Sequence, residues 1–354
     1  MKSVRWWPHT DDPRVASFRL RCRQIVDALR AQGLDAGLYE PSNSTAPQVL
    51  VLSKRYDATT LQTAMAMRQS AGTRILLDLC DNHLHVDNAE ARLLERADAL
   101  RHALSVVDRV VVSSPALAEV VVAEGVPGMD VSVIPDASEP TFEPTGTDRL
   151  KDIAGEWDRQ RLALALLRSG VPRARRLLWF GNHGSPGAEG GMSDLLRIQG
   201  LLQASHAVAP LSLTVISNDA GKFARLIGPW RLPVHYLRWR ASTFSRAARL
   251  HGTALVPVSA NPFTRCKTNN RVATAFVHGM NVVADSIPSY AEFAHCAVLD
   301  DWRHGLGPYL DDAPRRVTDI ETGRRLLAER YSLAQVTASW RQAIEASTAP
   351  GDIA

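Results

Sequence analysis

Short apolar runs separated by longer mixed segments recur along the chain in two rounds. In the first round the runs cover residues 4–7, 48–53, 74–79, 108–113 and 132–135, and in the second 176–181, 211–217, 234–237, 254–257 and 281–284. Uninterrupted runs of this length, rich in Val, Ile and Leu, are typical of strands buried on both faces of a parallel sheet. The segments between them carry apolar residues at helical spacing, so the pattern predicts βαβ units.

A break in composition separates the two rounds. Residues 137–148 are rich in Pro, Thr, Ser and Glu, which is typical of a linker. We therefore predict an α/β protein with two Rossmann-like, doubly wound parallel-sheet domains. Their predicted bounds are 1–148 and 172–332, with a crossover helix in 149–171 and a C-terminal helix in 333–354 that packs back toward the first domain. The binding site is expected in the central cleft that the two domains face.

Composition and charge exclude several classes of protein. The chain has 354 residues, of which 45% are apolar and 22% charged, so it is not a disordered chain, a coiled coil or a small disulfide scaffold. The net charge of +4 is small for a protein that neutralises a long phosphate backbone. Four scattered cysteines and the lack of an apolar signal segment favour the cytoplasm, and contact with the inner face of the membrane stays open.

The richest polar segment follows the predicted strand at 254–257. It leads into a helix predicted over 270–278 and brings five polar residues to the start of that helix: Thr264, Lys267, Thr268, Asn269 and Asn270. Free backbone N–H groups and the helix dipole favour an anion there, and Lys267 and Arg271 add positive charge suited to a phosphate. The alternative is that Asn270 only caps the helix and that the cations are solvated.

Further donor-side candidates lie at the ends of other predicted strands. Asn182 lies in a loop that contains five glycines, Gly181, Gly184, Gly187, Gly190 and Gly191. Glycines let a backbone approach a phosphate closely. Asn218 and Trp239 follow the next two strands, and the Trp239 ring could stack on a nucleotide base. The alternatives are an ordinary loop residue for Asn218 and core packing for Trp239.

The first round offers candidates for acid–base chemistry. Asp78, Asp81 and His83 lie at or just after the predicted strand at 74–79. A carboxylate or imidazole at a strand end can act as general base toward a hydroxyl, and Asp81 could also stabilise a developing positive charge. The alternatives are a capping role for Asp78 or Asp81 and a surface position for His83.

Two arginines lie early in the first predicted helix. Ser17 is the predicted N-cap of that helix, and Arg19 and Arg21 follow it directly. Both arginines could face a phosphate of the donor or of the acceptor, and the alternative is that they are solvated.

Four segments, in this order, resemble the GT-B glycosyltransferases and are most similar to the family 4-like bacterial group that builds surface glycans. They are SFRLRCRQIVDALRAQG, DRVVVSSPALAEVVVAEGV with VSVIPDASE, LLWFGNHGSPGAEGGMSDLLRI, and the strand, loop and helix that lead to NVVA and SIPSYAEF. The likeness covers nearly the whole chain. It implies the GT-B architecture and the transfer of a sugar from a nucleotide-sugar donor to a glycan, lipid-linked or other hydroxyl acceptor.

The chain departs from that family at two places. The family carries a basic residue for the donor diphosphate in the glycine loop, whereas the chain has none between Gly181 and Arg197. That role would pass to Lys267 and Arg271, or to Arg19 and Arg21. Retaining members also carry two glutamates eight positions apart, at the positions that Cys266 and Thr274 occupy here. Retention and inversion of the sugar therefore both stay open.

Taken together, the residues and the resemblance predict a glycosyltransferase that needs no metal and no cofactor beyond its nucleotide-sugar co-substrate. The predicted catalytic residues are Asp81 and His83, and Arg19 is predicted to contact the acceptor or a phosphate. The predicted donor-binding residues are Gly181, Asn182, Gly184, Asn218, Trp239, Lys267, Thr268, Asn269, Asn270 and Arg271. The alternatives are a non-catalytic GT-B relative acting as a scaffold or regulatory subunit, and a phage-type DNA-modifying glucosyltransferase. Nucleic acid is not an expected partner, given the small net charge.

Overall fold

The computed structural model describes residues 3–42, 45–86, 90–125, 128–184, 189–311 and 313–348. Within them, all ten strands predicted from the apolar runs are present to within about two residues, and two short edge strands, β2 and β12, are added. The strands are β1 (Ser3–Pro8), β2 (Asp35–Leu38), β3 (Val49–Ser53), β4 (Arg74–Leu79), β5 (Arg109–Val112), β6 (Val131–Val133), β7 (Arg176–Phe180), β8 (Ser212–Ser217), β9 (Val234–Arg238), β10 (Thr253–Val256), β11 (Asn281–Ala284) and β12 (Val298–Leu299).

Helices connect the strands and follow the last of them. The α-helices are α1 (Gln24–Ala31), α2 (Ala58–Ala71), α3 (Ala91–Val106), α4 (Pro115–Glu124), α5 (Gly146–Lys151), α6 (Ile153–Arg168), α7 (Gln199–Val208), α8 (Ala220–Leu226), α9 (Ala241–Ala248), α10 (Pro262–Arg265), α11 (Asn270–Val277), α12 (Leu306–Asp311), α13 (Ala313–Arg330) and α14 (Leu333–Thr348). A π-helical segment over Phe18–Arg23 leads directly into α1.

The first helix begins earlier than predicted, and Ser17 is not its N-cap. The Ser17 backbone is already helical, with φ −60° and ψ −37°, and its side chain makes no capping hydrogen bond. The Arg19 N–H donates to the Val15 carbonyl at 3.2 Å, so helical bonding starts upstream of Ser17. The prediction was wrong because Ser is also tolerated inside the first turn of a helix.

The chain divides into two compact units. Unit 1 comprises Met1–Ala137, Arg265–Thr268 and Glu329–Ala354, and unit 2 comprises Ser138–Thr264 and Asn269–Ala328. These bounds differ from the predicted ones, which placed residues 138–148 in the first domain, set residues 149–171 apart, and placed residues 265–268 and 329–332 in the second domain. The C-terminal helix α14 belongs to unit 1, where the Trp340 ring packs edge-on against Trp6 at 5.6 Å.

Specific contacts explain the placement of residues 149–171 and of residues 265–268. In unit 2, α6 packs on α9, and Arg240 and Arg246 of the α9 region pair with Asp152 and Glu156 at 2.8 and 2.5 Å. In unit 1, Cys266 is fully buried in the core, and the Ser114 hydroxyl donates to its carbonyl at 2.8 Å. Residues 265–268 therefore belong to unit 1, although the chain on both sides of them belongs to unit 2.

The sheet of unit 1 is parallel throughout, with the order β2-β1-β3-β4-β5-β6. Its central strand β3 is buried on both faces. Val49 and Val51 pack on one face with Trp6 and Trp340, whereas Leu50 and Leu52 pack on the other. This two-sided burial explains why the run is continuously apolar rather than alternating.

The sheet of unit 2 is also parallel, with the order β12-β11-β10-β7-β8-β9. In both sheets the direction of winding reverses once, between β1 and β3 in unit 1 and between β7 and β10 in unit 2. Open α/β sheets have a crevice at the carboxyl ends of the strands beside such a reversal. The fold therefore directs attention to the polar residues that follow these strands.

Candidate functional site

Unit 1 holds a cluster of charged and polar side chains at the carboxyl ends of β3 and β4. Asp81 accepts a hydrogen bond from Lys54 Nζ at 2.5 Å on one carboxylate oxygen and from Lys267 Nζ on the other. The Asp81 and Lys54 side chains are only 15% and 13% exposed. We call Lys54, Tyr56, Asp81, His83 and Lys267 the lysine–aspartate cluster.

The charges around Asp81 keep it ionised. Burial alone raises the pKa of this carboxyl group, but the attraction of Lys267 and Lys54 outweighs burial and holds the pKa well below its usual range. In turn, although burial disfavours the charged form of Lys54, Asp81 raises the pKa of that ammonium group. Asp81 is therefore a fixed negative charge at neutral pH.

His83 lies beside Asp81 in a neutral form. Its Nδ1 is 2.6 Å from the Tyr56 hydroxyl, and its Nε2 is 3.9 Å from Asp81 Oδ2. Burial and the nearby Lys54 charge lower the pKa of His83 to about 3, and burial raises the pKa of Tyr56 to about 12. General bases work best with a pKa near the operating pH, whereas the surroundings hold the pKa values of both His83 and Asp81 well below neutrality. The general-base role stays a prediction.

Lys54 and Tyr56 were not predicted from the sequence. Lys54 has a left-handed backbone, with φ 51°, and its N–H donates to the Asp78 carbonyl at 2.9 Å. Such a conformation is uncommon for residues other than glycine and is enriched at functional sites. Two features of the sequence could have identified Lys54 as a site residue. It directly follows a predicted strand, and it is one of only five lysines in the chain.

Acidification should destabilise the protein through His83. An unfolded histidine titrates near 6.5, whereas burial holds the pKa of His83 at about 3, so the unfolded state binds the proton first. The free energy of unfolding should therefore fall as the pH drops from about 6.5 toward 3, by up to ~1.4 kcal/mol per pH unit. Urea unfolding measures this free energy across the pH range. Its plot against pH should be less steep for His83→Gln than for the exposed His295→Gln. Equal slopes for the two variants would contradict this expectation.

Arg21 does not face solvent or a ligand, in contrast to the predicted phosphate role. It is 1% exposed, and its Nε and Nη1 donate to Asp78 and Asp136 at 2.7 and 2.8 Å. Burial alone lowers the pKa of this guanidinium, but the two carboxylates outweigh burial and raise it. Arg19 is half-buried, and its Nη1 donates to the carbonyls of Pro13 and Arg14, each at 3.1 Å.

Unit 2 holds a second cluster, at the reversal between β7 and β10. Gly181 follows β7 with φ 151°, and a Cβ at this position would lie 2.8 Å from Arg271 Nη2. Gly184 follows with φ 155°, and a Cβ there would lie 3.3 Å from Lys222 Nζ. Lys222 also donates to the His183 carbonyl at 2.8 Å. We call Gly181, His183, Gly184, Lys222 and Arg271 the glycine-loop cluster.

The glycine-loop cluster has the properties of a phosphate site. Two cations lie against a glycine backbone that a phosphate can approach closely, and a guanidinium and an ammonium group both suit phosphate oxygens. The guanidinium carbon of Arg271 also lies 5.3 Å from the centre of the Trp179 ring, a cation–π contact that holds the head group in place. Lys222 places a basic residue against the glycine loop, which has none of its own between Gly181 and Arg197 in the sequence. It was missed because it lies on α8, after the neighbouring strand β8.

Two predicted asparagines brace this loop. Asn218 Oδ1 accepts from the His183 N–H at 3.1 Å, and Asn182 Oδ1 accepts from the Gly184 N–H at 3.4 Å. Gly187, named with the other glycines of the loop, lies outside the described residues. The structure therefore brings Gly181, Asn182, Gly184, Asn218 and Arg271 together, and their role in donor binding stays a prediction.

The remaining predicted donor residues are placed differently. Lys267 and Thr268 belong to unit 1, where Lys267 pairs with Asp81. Asn269, not Asn270, occupies the N-cap position of α11, and the Asn269 side chain makes no capping hydrogen bond. The Trp239 ring is half-buried and lies 6.5 Å from the Phe244 ring.

Comparisons with known proteins identify the fold. No protein-family model and no curated protein matches the chain. Sucrose-phosphate synthase from Thermosynechococcus elongatus is similar in structure, with TM-score 0.67 and 12% identity over 98% of this chain and 99% of that one. WaaG, a glycosyltransferase involved in lipopolysaccharide biosynthesis, gives TM-score 0.61 and 14% identity over 98% of this chain and 100% of that one.

A third similar structure is larger. An S. aureus TarM variant in complex with fondaparinux, alpha-GlcNAc-glycerol and UDP gives TM-score 0.58 and 9% identity over 84% of this chain. The match spans 55% of the TarM chain, so this chain corresponds to about half of it. With two parallel sheets of matching architecture, the chain has the GT-B fold of these glycosyltransferases.

Proposed function

We propose that the protein transfers a sugar from a nucleoside-diphosphate sugar to a hydroxyl acceptor. The observation that carries this proposal is the placement of Arg271 and Lys222 on the glycine loop of unit 2. Two cations beside an approachable backbone suit a diphosphate in charge and shape. The GT-B fold supports the same class of reaction, since WaaG is a glycosyltransferase and the TarM structure contains UDP.

The leaving diphosphate is the group that the glycine-loop cluster would stabilise. Breaking the bond between the sugar and the phosphate leaves negative charge on the phosphate oxygens. Preorganised positive charge at that place lowers the barrier, because it interacts more strongly with the transition state than with the substrate. Arg271 would supply a planar fork of donors, and Lys222 a compact charge.

The lysine–aspartate cluster of unit 1 is the proposed acceptor side. Glycosyl transfer passes through a transition state in which the sugar ring gains positive charge. Asp81 is ionised and buried, and it would act on such a charge without becoming protonated once Lys267, whose side chain is 39% exposed, leaves it for another partner such as a phosphate. Its two lysines hold the carboxylate in one position. Because WaaG acts in lipopolysaccharide biosynthesis, we extend the proposal to an acceptor that is a bacterial surface glycan or glycoconjugate.

A thermal-shift screen tests the donor part of the proposal. UDP, GDP, TDP, ADP and CMP would each be added to the full chain. A nucleotide at about 100 times its Kd stabilises the folded state by ~2.7 kcal/mol, which raises Tm by several degrees. We expect one of the diphosphates to do so, and no response to any nucleotide would contradict the proposal. Stabilisation without transfer or hydrolysis of the matching sugar nucleotide would instead favour the non-catalytic alternative.

Chelation should leave turnover unchanged. In the described part of the chain, no group of three or more His, Cys, Asp or Glu side chains is arranged to hold a metal ion. The proposed mechanism neutralises the leaving group with Arg271 and Lys222, so added EDTA should change the initial rate less than about twofold. A rate that collapses with EDTA and returns with Mg²⁺ or Mn²⁺ would overturn this part of the proposal.

A further inference from the structure

Helix α6 carries two opposite apolar faces. Gly155, Leu162 and Leu166 are buried and face the core of unit 2. The opposite face exposes four large apolar side chains at helical spacing. These are Ile153, Trp157, Leu164 and Leu167. Trp157 is 63% exposed and Leu167 is 70% exposed.

The preceding helix α5 extends the same apolar surface. Leu150 is 73% exposed and lines a groove of about 300 Å³ together with Ile153 and Trp157. Single exposed apolar residues are common on proteins, but a contiguous patch of this kind marks an interaction surface. We call Leu150, Ile153, Trp157, Leu164 and Leu167 the α6 apolar face.

Positive charge flanks the α6 apolar face. Four exposed basic residues lie on α5 and α6, and among the described residues none of them forms an ion pair. They are Arg149, Lys151, Arg161 and Arg168. The acids nearby are mostly engaged, since Arg240 holds Asp152, and Arg159 and Arg246 hold Glu156. Asp158 of α6 and Asp148 of α5 lie outside these pairs, and Asp148 accepts hydrogen bonds from Thr145 in the capping box of α5.

We propose that the α6 apolar face binds the surface of an anionic lipid bilayer. Apolar side chains that include a tryptophan, flanked by unpaired Arg and Lys, are the features by which a helix lies in the interfacial plane of such a membrane. The proposed contact is with the bilayer surface, since the other face of α6 is buried in unit 2. Among the described residues, no helix is long and apolar enough to cross a bilayer. This proposal does not depend on the proposed function.

A second copy of the chain is a poorer occupant of the same face. Ile153, Trp157, Leu164 and Leu167 follow the spacing of a coiled-coil seam, with Arg161 and Arg168 on one side of it. Antiparallel pairing with another copy would place these arginines against their own equivalents, and like charges in such positions repel. An anionic surface removes that conflict.

Vesicle flotation with the full chain tests the proposal. We expect binding to vesicles that contain phosphatidylglycerol and much weaker binding to vesicles of phosphatidylcholine alone. Arg161→Gln with Arg168→Gln should weaken binding to the anionic vesicles roughly thirty-fold, and Leu164→Ser with Leu167→Ser should weaken it at least about tenfold. Arg325→Gln and Val208→Ser, which change exposed residues elsewhere, should leave binding unchanged.

Trp157 provides an independent signal at the surface. Its emission, taken as the difference between the native chain and Trp157→Phe, should shift to shorter wavelength when phosphatidylglycerol vesicles are added. No flotation with anionic vesicles would overturn the proposal. So would sedimentation that shows a dimer in solution which Leu164→Ser with Leu167→Ser converts to a monomer, because the occupant would then be a second copy.

Discussion

Replacing Arg21 with methionine should lower the free energy of unfolding by about 3–5 kcal/mol. The change leaves Asp78 and Asp136 buried without their shared cation, and the side chains of Arg21 and Asp78 are at most 1% exposed. Urea unfolding measures the loss. The matched control is Arg23→Met in the same π-helical segment, whose exposed pair with Asp27 should contribute less than about 0.5 kcal/mol.

The size of that effect follows from what Arg21 connects. Besides the two carboxylates, its Nη1 donates to the Ile134 carbonyl at 3.0 Å, so one guanidinium joins the first helix to β4 and to the segment after β6. The Ser53 hydroxyl also donates to Asp78 at 2.7 Å, which brings β3 into the same network. A loss below about 1 kcal/mol for Arg21→Met would mean that the carboxylates find other partners or protons.

Asp81→Asn should lower turnover by roughly 10²–10³-fold while leaving the affinity for the nucleoside diphosphate unchanged. Loss of one preorganised electrostatic group typically costs this much in rate, and the asparagine amide cannot replace the fixed negative charge. Diphosphate affinity should survive because Lys222 and Arg271 lie in the other unit. The measurement is kcat/KM for sugar transfer together with Kd for the diphosphate.

Stability must be followed in the same variant, since Asp81→Asn leaves Lys54 and Lys267 close together without their counter-ion. The exposed Asp98→Asn serves as control for the loss of one negative charge. If Asp81→Asn folds and transfers sugar at the native rate, Asp81 has only a structural role.

Much of the fold could be predicted from the apolar pattern. The runs at β3 and β8 are continuously apolar because each strand is buried on both faces, and that burial is itself a property of parallel sheets. The edge strands β2 and β12 could not be predicted in the same way. β2 contains a glycine and only two buried residues, and β12 is two residues long, so neither carries a pattern.

The site was only partly predictable, because residues from separate parts of the sequence make it. Gly181 and Arg271 were both predicted, but their contact depends on the pairing of β7 with β10. Lys222 lies on the helix after β8 and reaches the loop after β7, which no local motif reports. Arg21 was not recognised as a core residue, because an arginine in a helix is usually solvated. The sequence does not show that Asp78 and Asp136 are buried beside it.

We propose that Lys222 and Arg271 together bind the diphosphate of the donor. The most direct test is calorimetric titration of the nucleoside diphosphate that the thermal screen selects, into the native chain and into Lys222→Gln with Arg271→Gln. Two charge-assisted contacts predict a rise in Kd of at least about 100-fold. Arg225→Gln, an exposed change of the same charge on α8, should leave Kd within about twofold of the native value. If the double variant stays folded and binds the diphosphate as tightly as the native chain, Lys222 and Arg271 do not form the diphosphate site.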